Sequence, residues 1–163
     1  MMYINIYKIM TNVVLTSKLE PRYLTPNYKN HLLSIYKDKY VSTGTDIGYI
    51  VDVLSIKDII STNLNNNNQI IVESLCDCDI FKPEIGMKIS CVIDMIHVNG
   101  IFVSKYKIKI LIPSSNNGYE YCNNTFKVDG EEYSVGDSID VEIVNIRYDK
   151  FVYSCIGKLI LKD

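Results

Sequence analysis

Five cysteines (Cys76, Cys78, Cys91, Cys122, Cys155) and two histidines (His31, His97) are the side chains of this 163-residue sequence best suited to metal or redox chemistry. An odd number of cysteines does not close a disulfide framework, and no two of them form Cys-x-x-Cys. Cys76 and Cys78 are one residue apart, so on a strand they share a face. A tetrahedral zinc site would need further ligands, and the two histidines fall in different halves of the chain. The cysteines therefore read as small buried hydrophobes of a reducing compartment, with no metal and no cofactor expected. His31 reads as a surface or rim residue. A nucleophile, base and orienting acid do not cluster anywhere, and Gly44-x-x-x-Gly48 lacks the Lys-Ser/Thr of a phosphate loop. Asp137, Asp140 and Glu142 are spaced like the outer face of a strand. No catalytic residue is expected, and the chain reads as a protein that is not an enzyme.

A second chemistry is available to Phe102, Lys105, Lys107 and Lys109. An aromatic ring beside lysines can stack on a base and neutralise phosphate, the means by which single-stranded RNA is held. On one continuous strand the three lysines would share a solvated face, with Tyr106, Ile108 and Ile110 turned to the core. Charge limits this reading. The chain carries 17 basic and 19 acidic side chains, a net charge of −2, whereas a dedicated nucleic-acid binder is strongly basic. The distribution is uneven, with four lysines against Asp94 in residues 88–109 and seven acids against Arg147 in residues 129–149. Contact with RNA is accordingly expected to be local and weak. No apolar run approaches the ~20 residues of a membrane-spanning helix. Residues Met1–Met10 carry Asn5 and Lys8 and do not read as a signal peptide, so an intracellular protein without membrane contact is expected.

The elements that would position these residues fall into two groups. Residues 3–15 read as a strand. A helix then starts at Thr25 as N-cap, with Pro26 in the first turn and an apolar stripe of Tyr28, Leu32, Tyr36 and Tyr40. A tight loop between Gly44 and Gly48 leads to a strand over Tyr49–Ile56. The asparagine run Asn65–Asn68, read as a floppy loop, joins that strand to Gln69–Leu75 in a hairpin. Pro83 and Gly86 mark a hinge. Beyond it only strand periodicity remains: Lys88–His97, an Asn99-Gly100 turn with positive φ, Ile101–Val103, Lys105–Ile112, a polar loop over Pro113–Asn124, then Ile139–Ile146 and Phe151–Ile160. The fold class expected is α+β. A small N-terminal domain (residues 1–80; strand, helix, strand, strand) precedes a five-stranded all-β OB barrel (residues 81–163).

Three stretches carry a family resemblance. Val14-Leu15 through Leu19-Glu20-Pro21, followed by a helix and Gly44-x-x-x-Gly48-Tyr49-Ile50-Val51-x-Val53-Leu54, is similar to the tip domain of RNA polymerase stalk subunits. Phe81-Lys82-Pro83-Glu84-x-Gly86 and Asn99-Gly100-Ile101-Phe102-Val103 resemble the start of their OB barrel. The order of these pieces, from about Val13 to Ile160, resembles the seventh-largest subunit of RNA polymerase II and its equivalent in the archaeal stalk. The resemblance implies a non-catalytic subunit of a DNA-directed RNA polymerase that serves transcription as part of the stalk. It implies docking on the large core subunits through Gly44, Asp46, Ile47, Gly48 and Tyr49, a smaller stalk partner, and weak contact with nascent RNA through Phe102, Lys105, Lys107 and Lys109. The sequence holds no alanine and only two arginines, a skew toward A+T-rich codons. With the resemblance, this suggests a viral protein from a large DNA virus, located in host cytoplasm or virion, and otherwise nuclear. The alternative reading is a free-standing OB protein that binds single-stranded RNA in translation or RNA processing.

Overall fold

The computed structural model describes residues 8–116 and 118–161. The chain divides into two compact units, the first ending at Lys82 and the second beginning at Pro83. Residues 3–7, expected from the sequence to start the first strand, lie outside the described residues.

In the first unit, β1 (Lys8–Leu19), β2 (Gly44–Thr45), β3 (Gly48–Leu64) and β4 (Ile70–Phe81) form an antiparallel sheet in the order β1-β4-β3-β2. One helix, α1 (Tyr28–Tyr40), covers one face. Its Leu32 and Tyr36 are wholly buried among Leu15, Leu19, Ile50, Val53 and Ile80. Burying an aromatic hydroxyl demands a partner. The Tyr36 hydroxyl lies 3.1 Å from the Val72 carbonyl and 2.8 Å from the Ser74 hydroxyl, while Tyr40 donates to the Thr16 carbonyl at 2.6 Å. The helix begins later than its sequence suggests. Asn27, not Thr25, is the N-cap, and no side chain caps it. The proline explains the shift, because the residue before Pro26 is held out of helical conformation. The Thr25 carbonyl instead accepts from Tyr28 N–H at 3.0 Å in a tight turn ahead of the helix. The Asn65–Asn68 segment is an ordered turn in which Asn65 Oδ1 accepts from the N–H groups of Asn67 and Gln69, at 3.0 and 2.9 Å.

Strand β3 runs twice as far as its alternation suggests, and the reason is a period of three. Its register against β4 slips between Ile50 and Asp52, Val53 and Ser55, Ile56 and Asp58, and Ile59 and Ser61. Each slip leaves one residue (Val51, Leu54, Lys57, Ile60) unpaired as a bulge. Ile50, Val53, Ile56 and Ile59 pair with Ile80, Cys78, Cys76 and Ser74 on the helix-covered face. Asp52, Ser55, Asp58 and Ser61 pair with Asp79, Asp77, Leu75 and Glu73 on the opposite face. A bulge frees a backbone N–H, and the acids supply acceptors. Asp52 Oδ1 takes Val53 N–H and Asp58 Oδ1 takes Ile59 N–H, both at 2.8 Å.

In the second unit, β5 (Lys88–His97), β6 (Gly100–Lys105), β7 (Ile108–Pro113), β11 (Ser138–Asp149) and β12 (Val152–Leu159) close into a barrel ordered β11-β12-β7-β6-β5. The β7–β12 pair is parallel and the others are antiparallel, which is the OB arrangement. With the helix-backed sheet before it, the fold is α+β. Ile89, Ile93, Ile101, Val103, Ile110, Val141 and Ile143 fill the interior. Gly157 permits closure, since a Cβ there would overlap Val141 Cγ1 and stand 2.8 Å from Ile110 Cγ2. The Pro83–Gly86 segment is fastened to the barrel: Gly86 N–H donates to the Ile143 carbonyl at 2.7 Å, and Ile143 N–H to the Met87 carbonyl at 2.9 Å.

Three readings of this half are corrected. Lys105–Ile112 is not one strand, because Tyr106 and Lys107 take φ of 49° and 65° and form a two-residue turn between paired Lys105 and Ile108. Neither Asn99 nor Gly100 has positive φ; the turn before β6 is held by Asn99 N–H donating to His97 Nδ1 at 3.3 Å. The expected polar loop Pro113–Asn124 contains a strand, β8 (Glu120–Cys122), which forms a meander with β9 (Thr125–Val128) and β10 (Glu131–Tyr133) in residues given no element from the sequence. The core of the meander is aromatic, with Phe126 edge-on to Tyr119 at 5.4 Å and stacked on Tyr133 at 4.9 Å.

Candidate interaction surfaces

The residues read as a docking loop lie in the β2–β3 hairpin, where Gly44 pairs with Tyr49 and Thr45 with Gly48. Asp46 and Ile47 form its tip, both exposed, Ile47 to 40%. The other three are supports. Gly44, Gly48 and Tyr49 are buried. Gly48 has φ of +138°, and a Cβ on it would stand 2.5 Å from Ile80 Cγ2 and 3.1 Å from the Phe81 carbonyl oxygen. Only glycine meets both conditions. Thr45 Oγ1 donates to the Gly48 carbonyl at 2.7 Å, and the base of the loop is closed by Ser42 N–H to the Ile50 carbonyl at 2.9 Å. The Tyr49 hydroxyl is buried without a partner in hydrogen-bonding geometry. Burial raises its pKa above the ordinary phenol value, with the Ser42 hydroxyl opposing.

The residues read as an RNA face separate in the structure. Phe102 stands half-buried on the outside of β6, and Lys109 is exposed on the outside of β7. Lys105 ends β6, its ammonium 5.2 Å from the Tyr106 ring centroid, and Lys107 belongs to the turn. The lysines therefore do not line one strand face, because the turn interrupts the alternation that would align them. Phe102 instead belongs to a row that alternation along a single strand does not reveal. The register sets Met95 opposite Phe102, Phe102 opposite Leu111, Leu111 opposite Ile156, and Ile156 opposite Asn145. The next row outward sets Ser104 opposite Lys109, Lys109 opposite Ser154, and Ser154 opposite Arg147. Where β11 bulges between Ile143 and Asn145, the two rows border a concavity of about 290 Å³ lined by Leu111, Asn145, Arg147, Ser154 and Ile156 among others.

Four cysteines are buried and one, Cys122, is exposed; all are free thiols. Burial lifts Cys76 and Cys155 to about 11 and Cys78 and Cys91 to about 12, so these thiols are protonated and poor nucleophiles at neutral pH. Among the described residues no three His, Cys, Asp or Glu side chains gather as metal ligands. His31 is half-buried and stacks on Tyr23 with ring centroids 3.8 Å apart. Asp140 accepts from the Ser90 hydroxyl, and Asp137 Oδ2 from Ser134 N–H at 2.7 Å, both structural duties. No helix of the described residues is long and apolar enough to cross a membrane.

No protein-family model matches the chain. Over 66 residues, 40% of the chain, it is 27% identical to the uncharacterized protein 053L of Invertebrate iridescent virus 3. The matched stretch spans 46% of that viral protein, so the chain covers about half its length.

Proposed function

We propose that the chain is a non-catalytic accessory subunit of a DNA-directed RNA polymerase, occupying the stalk position and docking on the large core subunits through the β2–β3 hairpin. The observation that carries this reading is the succession of a helix-backed sheet, with a rigid two-residue tip presenting Asp46 and Ile47, and a closed OB barrel. A hairpin over-determined by Gly48 and by paired backbone loses little entropy on docking, which favours a standing interface. The partial likeness to an iridescent virus protein and the A+T-rich residue usage support a subunit of viral origin, working in host cytoplasm and carried in the virion. A smaller stalk partner and weak contact with emerging RNA belong to the same proposal.

The test is affinity purification of the tagged full chain from the cells in which it is expressed, with identification of what co-purifies. Recovery of the two largest polymerase subunits from wild type, and their loss from Ile47→Asp with unchanged thermal unfolding, is the expected result. Recovery of ribosomal or RNA-processing proteins without polymerase would move the free-standing RNA-binding reading into first place.

A further inference from the structure

The concavity at the β11 bulge is lined by Leu111, Asn145, Arg147, Ser154 and Ile156, which the polymerase reading does not use, and it adjoins Phe102 and Lys109, which that reading gives to weak RNA contact. Its floor is apolar, from Leu111 and Ile156, and Ile156 is 38% exposed on a strand whose alternate residues face the core. Met95, at the far end of the same row, is 49% exposed. Four apolar side chains in unbroken register across the outside of β5, β6, β7 and β12 are more than scattered surface hydrophobes require. Arg147 belongs to its lining, and Lys109 stands beside it in register, opposite Ser154. Lys109 makes no ion pair among the described residues, and Arg147, 80% exposed, reaches only Asp149 at 3.5 Å. Such an exposed, long pair holds its guanidinium weakly. Asn145 uses its Oδ1 to accept Ile146 N–H at 2.8 Å, which leaves its amide nitrogen to donate outward.

We infer that this concavity is a docking site for a short acidic segment of a partner protein, which seats one apolar side chain on Leu111 and Ile156 and one carboxylate between Lys109 and Arg147. Charge selects this occupant. Lys109 and Arg147 flank Ser154, two residues from Ile156 on β12, so both recognition points lie roughly 7 Å apart along one strand direction. An extended peptide with an apolar residue and an Asp or Glu two positions away presents its side chains at that spacing. A polyanion is disfavoured. Asp94, held by the Ser104 hydroxyl at 3.0 Å, closes one end of the basic row, and Asp149 closes the other. A phosphate backbone would pass both carboxylates, whereas a single carboxylate meets only the two cations. The row also offers one aromatic ring, Phe102, where single-strand binders use several. Nothing in this site depends on the polymerase assignment.

The experiment pans a random peptide library on the full chain and measures the enriched peptides by fluorescence anisotropy. The expected result is a consensus of an apolar residue and an acid two positions apart. Its binding should weaken at least about tenfold in Ile156→Asp and again in Arg147→Glu, which corresponds to about 1.4 kcal/mol for each. Both side chains point outward from the barrel, and Lys109→Glu is a further exposed variant; unchanged circular dichroism and thermal unfolding report that the barrel is intact. Absence of an enriched consensus, a basic consensus, or affinities untouched by both variants overturns the proposal. So does an oligouridylate that binds more tightly than the peptides and loses affinity in the same variants, or a self-association in sedimentation that Ile156→Asp abolishes.

Discussion

Replacing Gly48 with alanine tests the rigidity of the hairpin on which the docking proposal rests. At φ of +138° an L-residue is strained, which costs roughly 1–3 kcal/mol. The added Cβ must also displace Ile80 Cγ2 from 2.5 Å and stand 3.1 Å from the Phe81 carbonyl oxygen. The first obstacle belongs to a side chain only 2% exposed in the core under α1, and the second is backbone paired with Tyr49. Neither can yield without disturbing the sheet, so overpacking adds about 1–3 kcal/mol. Together these give a loss of about 2–6 kcal/mol in the first unit, or a fall in Tm of roughly 10 °C or more for a unit of this size. Scanning calorimetry of the full chain, beside urea unfolding, measures it. Ile47→Ala is the comparison: its side chain is 40% exposed and the expected change is within ~0.5 kcal/mol. If Gly48→Ala falls within that same ~0.5 kcal/mol, the hairpin adapts freely and the argument for a preformed docking tip fails.

Two further outcomes follow from the same geometry. Asp52→Asn keeps the side-chain oxygen that takes Val53 N–H at 2.8 Å and loses only a half-exposed ion pair with Lys37 at 3.2 Å, so urea unfolding should detect almost no change; Asp52→Ala should cost about 1 kcal/mol, and equal losses in the two would refute the capping role. Four buried thiols and the Tyr36 phenol have pKa values raised to about 11 or 12 by burial, above the ordinary 9.0 and 10.0 they regain on unfolding. Their contribution is complete below pH 9 and is lost as pH climbs toward 11 to 12, on the order of 1 kcal/mol per thiol per pH unit at first. A urea midpoint that holds from pH 7 to 8.5 and then falls steadily to pH 10 is expected, and one that stays level to pH 10 would contradict the burial of these groups.

Period and turn chemistry make much of the fold legible in the sequence. The stripe Tyr28, Leu32, Tyr36 places α1, and alternation around Cys76 and Cys78 sets both thiols on the helix-covered face of β4. What alternation hides is any strand that does not alternate. In β3 the apolar residues recur at 50, 53, 56 and 59, a spacing closer to a helix than to a strand, and only four successive bulges reconcile it with a sheet. The readable signal is the companion series Asp52, Ser55, Asp58, Ser61, short polar residues at the same interval, two of which cap the N–H groups that the bulges release. Asn123-Asn124, at the end of the expected loop, and Asp129-Gly130 beyond it, all with positive φ, are the turn signals of the β8–β10 meander. The same chemistry at Tyr106-Lys107 carries no such signal, since neither residue favours left-handed φ.

The candidate sites divide along a different line, between what a residue is and what stands beside it. Gly44, Asp46, Ile47, Gly48 and Tyr49 form one contiguous stretch in sequence, yet burial splits them into two exposed contacts and three supports. A loss of partner binding in a Gly48 or Tyr49 variant would therefore report folding, and only Asp46 and Ile47 can report docking. The barrel presents the reverse case. Met95, Phe102, Leu111 and Ile156 are scattered over sixty residues of sequence and become one row solely through register. Register is fixed by turns and bulges, here the Tyr106-Lys107 turn and the slips at Ile93–Met95 and Ile143–Asn145. Shifting any of them by one residue would turn half the row into the core. A surface of this kind is invisible to spacing along one strand, and its outward-facing apolar members must be tested by polar substitution rather than by removal of a motif.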